Sequence, residues 1–261
     1  LMLLTLVFSS EVLAKTHTTT ASQKSHLTKA SNKQVSSKQE YSRNSAKSSS
    51  LPDLRKYPSG TPRKKAFLRT VMPYITSQNA AITAERNWLI SKQYQGQWSP
   101  AERARLKDIA KRYKVKWSGN TRKIPWNTLL ERVDIIPTSM VATMAAAESG
   151  WGTSKLARNN NNLFGMKCMK GRCTNAPGKV KGYSQFSSVK ESVSAYVTNL
   201  NTHPAYSSFR KSRAQLRKAD QEVTATAMIH KLKGYSTKGK SYNNYLFAMY
   251  QDNQRLIAAH M

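Results

Sequence analysis

The chain has 261 residues, of which 43 are Lys or Arg and 13 are Asp or Glu, for a formal net charge of +30. A field of that sign gathers polyanions of any kind, so it names a class of partner without choosing among nucleic acid, acidic lipid and wall polymer. The apolar run LMLLTLVF at the N-terminus falls far short of the roughly 20 residues that a membrane-spanning helix needs.

In chain order, residues 1–14 read as the remnant of a secretory signal, with Val12 and Ala14 as the small residues before a cleavage point. That predicts a secreted or periplasmic protein. Residues 15–61 are rich in Ser, Thr, Lys and Gln and have almost nothing apolar to bury, so composition predicts a disordered basic linker. Its chemistry suits electrostatic contact with an anionic wall or membrane surface.

Helical patterning begins at Pro62. Residues 62–136 are expected to form an N-terminal helical extension packed on a catalytic domain at 137–261. Phe67, Leu68, Val71 and Met72 recur at helical spacing, and Pro73 is expected to end or kink that helix. A second apolar run at 79–93 carries Ile82, Trp88, Leu89 and Ile90. Ser99, Pro100 and Glu102 form a capping box with Pro in the first turn, a strong helix start. A polar loop over 115–123 and a short helix over 126–133 follow.

The helix predicted over 137–149 aligns Met140, Met144 and Glu148 at i, i+4 and i+8, with Val141 and Ala145 beside them. That line is apolar until it reaches the carboxylate. Apolar surroundings and a helix C-terminus both favour the protonated form of Glu148, which a general acid requires. Taken alone, a glutamate at a helix end is equally an ordinary surface residue. Gly150 then supplies a left-handed residue to close the helix.

Residues 163–186 carry strand and turn signals: LFGMKC, a Gly-centred Cys hairpin, Pro177-Gly178 and GYSQF. Cys168 and Cys173 either close a small disulfide or remain free thiols. Ser188 and Glu191 predict another capping box and a helix to about 201, with further helices near 206–218, 221–232 and 241–258. Asp220 and Glu222 read as helix-start residues. His203, His230 and His260 have no Cys or carboxylate at ligand spacing, so no metal is expected.

The order AAAESGWG, SKLA and NNLFGMK over 145–167 closely resembles the signature of the N-acetylglucosaminidases of glycoside hydrolase family 73, which includes flagellar-rod-associated wall hydrolases and bacterial autolysins. The likeness extends over about 137–258. It implies an α+β, predominantly α fold: a lysozyme-like helical domain with a small β-hairpin lobe, preceded here by the basic segment. It also implies a monomeric, cofactor-free hydrolase that cuts β-1,4 bonds of peptidoglycan strands, with Glu148 as proton donor.

The loose match of GYSTKGKSY to a tyrosine motif of that family marks Tyr242 and Tyr235 as further catalytic candidates. Trp151 is either a sugar platform or a core aromatic. Asn161, Asn162 and Phe164 either bind substrate or pin the lobe to the helix, and Tyr183 and Phe186 either line the cleft or pack the lobe.

One departure matters. No Asp or Glu lies between Glu148 and Glu191, so the second carboxylate usual in glycoside hydrolysis is missing from the lobe. A route assisted by the substrate's own 2-acetamido group fits that lack. Two other readings stay open, a lytic transglycosylase and a catalytically silent wall-binding module. A nucleic-acid partner is not expected, because the basic residues are spread along the chain and not interleaved with aromatics on one face.

Overall fold

The structure is a computed structural model that describes residues 50–168, 173, 176–232, 235 and 239–261. The expected signal remnant, the linker up to residue 49, the tip of the Cys hairpin and most of GYSTKG lie outside the described residues. Nine α-helices are seen among the described residues: α1 Thr61–Ser91, α2 Pro100–Arg112, α3 Trp126–Arg132, α4 Thr138–Ser149, α5 Lys155–Asn160, α6 Val189–Thr202, α7 Ser207–Lys218, α8 Ala225–Met228 and α9 Lys240–Ala258. The architecture is predominantly α, as expected.

Pro73 does not end helix α1. It runs unbroken for 31 residues with Pro73 inside it. An interior proline costs about 3 kcal/mol through a lost hydrogen bond and a clash. Here one face buries Phe67, Leu68, Val71, Met72, Ile75, Ile82 and Leu89, and each large apolar side chain contributes about 1.5–3 kcal/mol. Burial outweighs the defect, and the ring of Pro73 sits on the exposed side.

Helix α4 is the centre of the molecule. It packs on α1, α8 and α9 and buries Met140, Val141, Ala142, Thr143, Met144, Ala145, Ala146 and Ser149. A helix apolar on every side has to be enclosed. Its only charged residue is Glu148 in the last turn, and Gly150 closes it in the left-handed conformation.

The linker reading extends too far towards the C-terminus. Leu51 and Leu54 are buried, and residues Leu54–Lys56 form a 3-10 turn capped by Asp53. Two leucines in a polar stretch suffice once a partner surface exists for them. The region read as a β-hairpin lobe is reduced, among the described residues, to two isolated antiparallel bridges, Lys167 with Tyr183 and Cys173 with Ser184. Side chains do the work of a ladder there. Asn160 accepts from Val180 N at 2.9 Å and donates to Val180 O at 3.1 Å.

Residues 221–224 do not begin a helix. Asp220 is a helix-end residue in the left-handed conformation, with φ 52°. Gln221 N returns to Leu216 O at 2.9 Å. The next helix starts only after Thr224, whose hydroxyl accepts from Ala227 N. Glu191 sits in the first turn of α6. Its Oε2 accepts from Ser187 N and Oγ at 2.7 and 2.8 Å, while Ser188 Oγ caps the helix.

One buried charge cluster had no sequence signal. Asp134 is buried and accepts from Arg217 at 3.0 and 3.1 Å, with Arg86 and Arg213 guanidiniums at 3.6 and 3.7 Å. Arg213 also donates to the carbonyls of Glu131, Asp134 and Ile135, which ties α7 to the end of α3. Burial pulls the Arg213 guanidinium down to about 10, against the opposing pull of Asp134.

Candidate active site

Glu148 lies just before the tight turn that closes α4. Gly150, Trp151 and Gly152 are all left-handed, with φ of 56°, 55° and 78°. Ser149 is buried and donates to Ala145 O, while its oxygen accepts from Gly152 N at 2.8 Å. Ser149 is thus occupied in holding the turn. A Cβ on Gly152 would stand 2.6 Å from Leu54 Cδ1 and 3.1 Å from Phe67 Cδ2, so glycine there lets the N-terminal segment and α1 close over the turn.

The carboxyl group of Glu148 is half-buried at a cleft of about 670 Å³. Tyr242, in the first turn of α9, donates a hydrogen bond from its hydroxyl to Glu148 Oε1. Gly165 backs the other oxygen. Its φ is 63°, and a Cβ there would lie 3.1 Å from Oε2, so any larger residue crowds the acid as well as straining the backbone.

Aromatic rings line the same cleft. Phe164 stacks on Tyr196 with centroids 3.9 Å apart and planes 2° from parallel. Tyr196 meets Tyr235 edge-on at 6.3 Å, and Tyr235 stacks on Tyr242 at 5.5 Å. Tyr206 closes the arc 6.2 Å from Tyr235. Burial raises the Tyr242 phenol, and nearby Tyr235 and Glu148 raise it further. Burial and the Glu148 charge raise Tyr235 in the same direction, and burial raises Tyr196. All three stay neutral, so Tyr242 faces Glu148 as a donor.

Of the residues singled out by sequence, Glu148, Tyr242, Tyr235 and Phe164 come together in this cleft. Trp151, Asn161, Asn162, Tyr183 and Phe186 are not among the residues that line it. Trp151 packs edge-on against Phe67 at 5.6 Å with the Lys64 ammonium 5.1 Å over its ring. It is a partly buried core aromatic that fastens the turn to α1.

Asn161 accepts from Leu51 N at 3.2 Å and donates to Phe186 O at 3.1 Å. Asn162 accepts from Met166 N at 3.0 Å and donates to Met166 O and Ser184 O at 2.9 and 3.0 Å. Both amides are spent on backbone. Phe186 is buried in the core, and Tyr183 accepts a hydrogen bond from Lys167 at 2.9 Å at the margin. Cys168 and Cys173 are joined as a disulfide, and Cys168 lines the cleft.

Sequence reading missed Tyr196, Asn199, His203 and Tyr206, which α6 and the turn after it bring to the cleft. Lys114, from the loop after α2, also lines it. Glu148 is the only carboxylate among the described lining residues.

The sequence profile of the Glucosaminidase family, described as mannosyl-glycoprotein endo-beta-N-acetylglucosaminidase, matches residues 125–255, half of the chain. The chain belongs to that family. No solved structure matches it. Membership makes the protein a glycoside hydrolase of the endo-β-N-acetylglucosaminidase type, and the matched residues run from the end of the loop before α3 to near the end of α9.

Proposed function

We propose that this glucosaminidase is a peptidoglycan hydrolase that cuts the β-1,4 bond following N-acetylglucosamine, with Glu148 as general acid. The observation that carries the reading is the Tyr242–Glu148 hydrogen bond beside an aromatic cleft large enough for sugar rings. Glu148 gives its proton to the glycosidic oxygen as the C–O bond breaks. The phenol of Tyr242 orients the carboxyl group and stabilises the carboxylate left behind. With no second carboxylate among the described lining residues, the substrate's acetamido oxygen closes on the anomeric carbon. Water then opens that ring and returns a proton to Glu148.

Several finer points belong to the same reading. The resemblance extends to the enterobacterial Bax protein. The N-terminal signal remnant, the basic segment and the disulfide suit a secreted or periplasmic protein acting as a monomer on an anionic wall. Residues 62–136 serve as an extension that braces the catalytic domain.

A second reading draws on the single carboxylate among the described lining residues. Without a protein base to activate water, the muramyl C6 hydroxyl becomes the acceptor and the enzyme is a lytic transglycosylase. Digestion of purified peptidoglycan followed by mass spectrometry separates the two, because hydrolysis leaves reducing N-acetylglucosamine ends and transglycosylation leaves 1,6-anhydro-muramyl ends. Glu148→Gln should lower the rate by roughly 10²- to 10⁴-fold. Equal activity of the two proteins would remove Glu148 from the mechanism.

A further inference from the structure

The cleft has a branch. A second groove of about 170 Å³ runs along the outer face of α6 and is lined by Ser194, Thr198, Thr202 and Glu191. It shares Lys114 and Asn199 with the main cleft, so the two spaces meet at those residues.

Lys114 is held there by its neighbours. Tyr113 and Val115 on either side are buried, and Lys114 itself is left-handed with φ 55°. Its carbonyl accepts from Arg132 Nη1 at 2.7 Å, and Val115 N returns to Ala110 O at 2.8 Å. The backbone is therefore fixed while the ammonium group is exposed. It makes no hydrogen bond or ion pair with any described residue. Lys114 also lies outside the segment matched by the family profile.

We propose that the side groove receives the peptide branch of the wall glycan, with Lys114 pairing a branch carboxylate, so that a residue from the N-terminal extension sets a preference for peptide-bearing strands. The inference rests on the glycosidase reading above. A glycan chain in the main cleft has to place its peptide substituent to one side, and the groove opens from the cleft at its cation. A branch carrying both signs of charge meets Lys114 at one end and Glu191 along the groove, where Ser187 already orients that carboxylate.

The test compares peptidoglycan strands with the same strands stripped of peptide by an amidase, as the ratio of the two kcat/KM values. Wild type should favour peptide-bearing strands. Lys114→Ala should lower the ratio by up to about fivefold, mainly through KM, as one exposed charge pair allows. Lys114→Glu should lower it further and Lys114→Arg should restore it. Thr198→Trp, which fills the groove without touching the charge, should also lower the ratio.

Lys107→Ala, an exposed lysine on α2, controls for overall charge. An unchanged ratio in Lys114→Ala, or an equal fall in Lys107→Ala, overturns the proposal and leaves the glycosidase reading intact. A folded wild type that cleaves neither strand overturns both.

Discussion

At the scale of single residues, the acid is defined by what surrounds it. Glu148 has a donor on one oxygen and a glycine behind the other. Tyr242→Phe removes the donor and keeps the ring that stacks on Tyr235. A hydrogen bond to a charged group contributes about 1.5–3 kcal/mol, so kcat should fall roughly ten- to a hundredfold, while the melting temperature stays near that of wild type. A loss of activity no larger than twofold would show that the phenol does not orient the acid.

The same scale explains why some motif residues were legible as important and not as to role. Asn161, Asn162 and Trp151 belong to the recognisable motif, yet their side chains meet backbone carbonyls, Leu51 N and Phe67. A motif marks residues whose replacement is costly. It does not say whether the cost falls on substrate or on scaffold.

At the scale of elements, local rules worked wherever a single cap decided the outcome. Ser99 with Glu102 starts α2 through both bonds of the capping box, and Gly150 ends α4. They failed where packing overrode propensity, as in α1 at Pro73, and where the partner lay far off, as with Leu51 and Leu54. The clearest failure is the Asp134 cluster, in which one buried acid sits among three guanidiniums from α1 and α7. Asp134→Ala leaves the fully buried Arg213 without that counter-charge and should destabilise the fold by about 3–5 kcal/mol, read as a lower denaturant midpoint. Activity measured well below the new midpoint should change much less than stability does.

At the scale of the whole molecule, the tyrosine arc links stability to pH. Burial raises the phenols of Tyr196, Tyr235 and Tyr242 in the folded chain, whereas an unfolded tyrosine ionises near 10. The folded state therefore holds those protons more tightly. Its contribution to stability is complete below about pH 10 and is lost as pH rises above that value. In an alkaline titration, phenolate absorbance from these three rings should rise together with the loss of near-ultraviolet circular dichroism and not ahead of it. Tyr196→Phe should shrink that late phase. Early ionisation of all three rings in a still-folded protein would contradict the burial argument.

The sequence by itself determined the helical class, most helix starts and ends and the glycosidase family, because caps, periodicity and the run from Ala145 to Lys167 act over short distances along the chain. Only the tertiary structure decided what completes the site. Tyr242 meets Glu148 across 94 residues, Tyr196 and Tyr206 enter from α6 and the turn beyond it, Trp151 faces α1, and Lys114 arrives from outside the family segment. Side chains so far apart in sequence become neighbours through the burial of helix faces, and helical spacing alone does not tell which buried face borders the cleft.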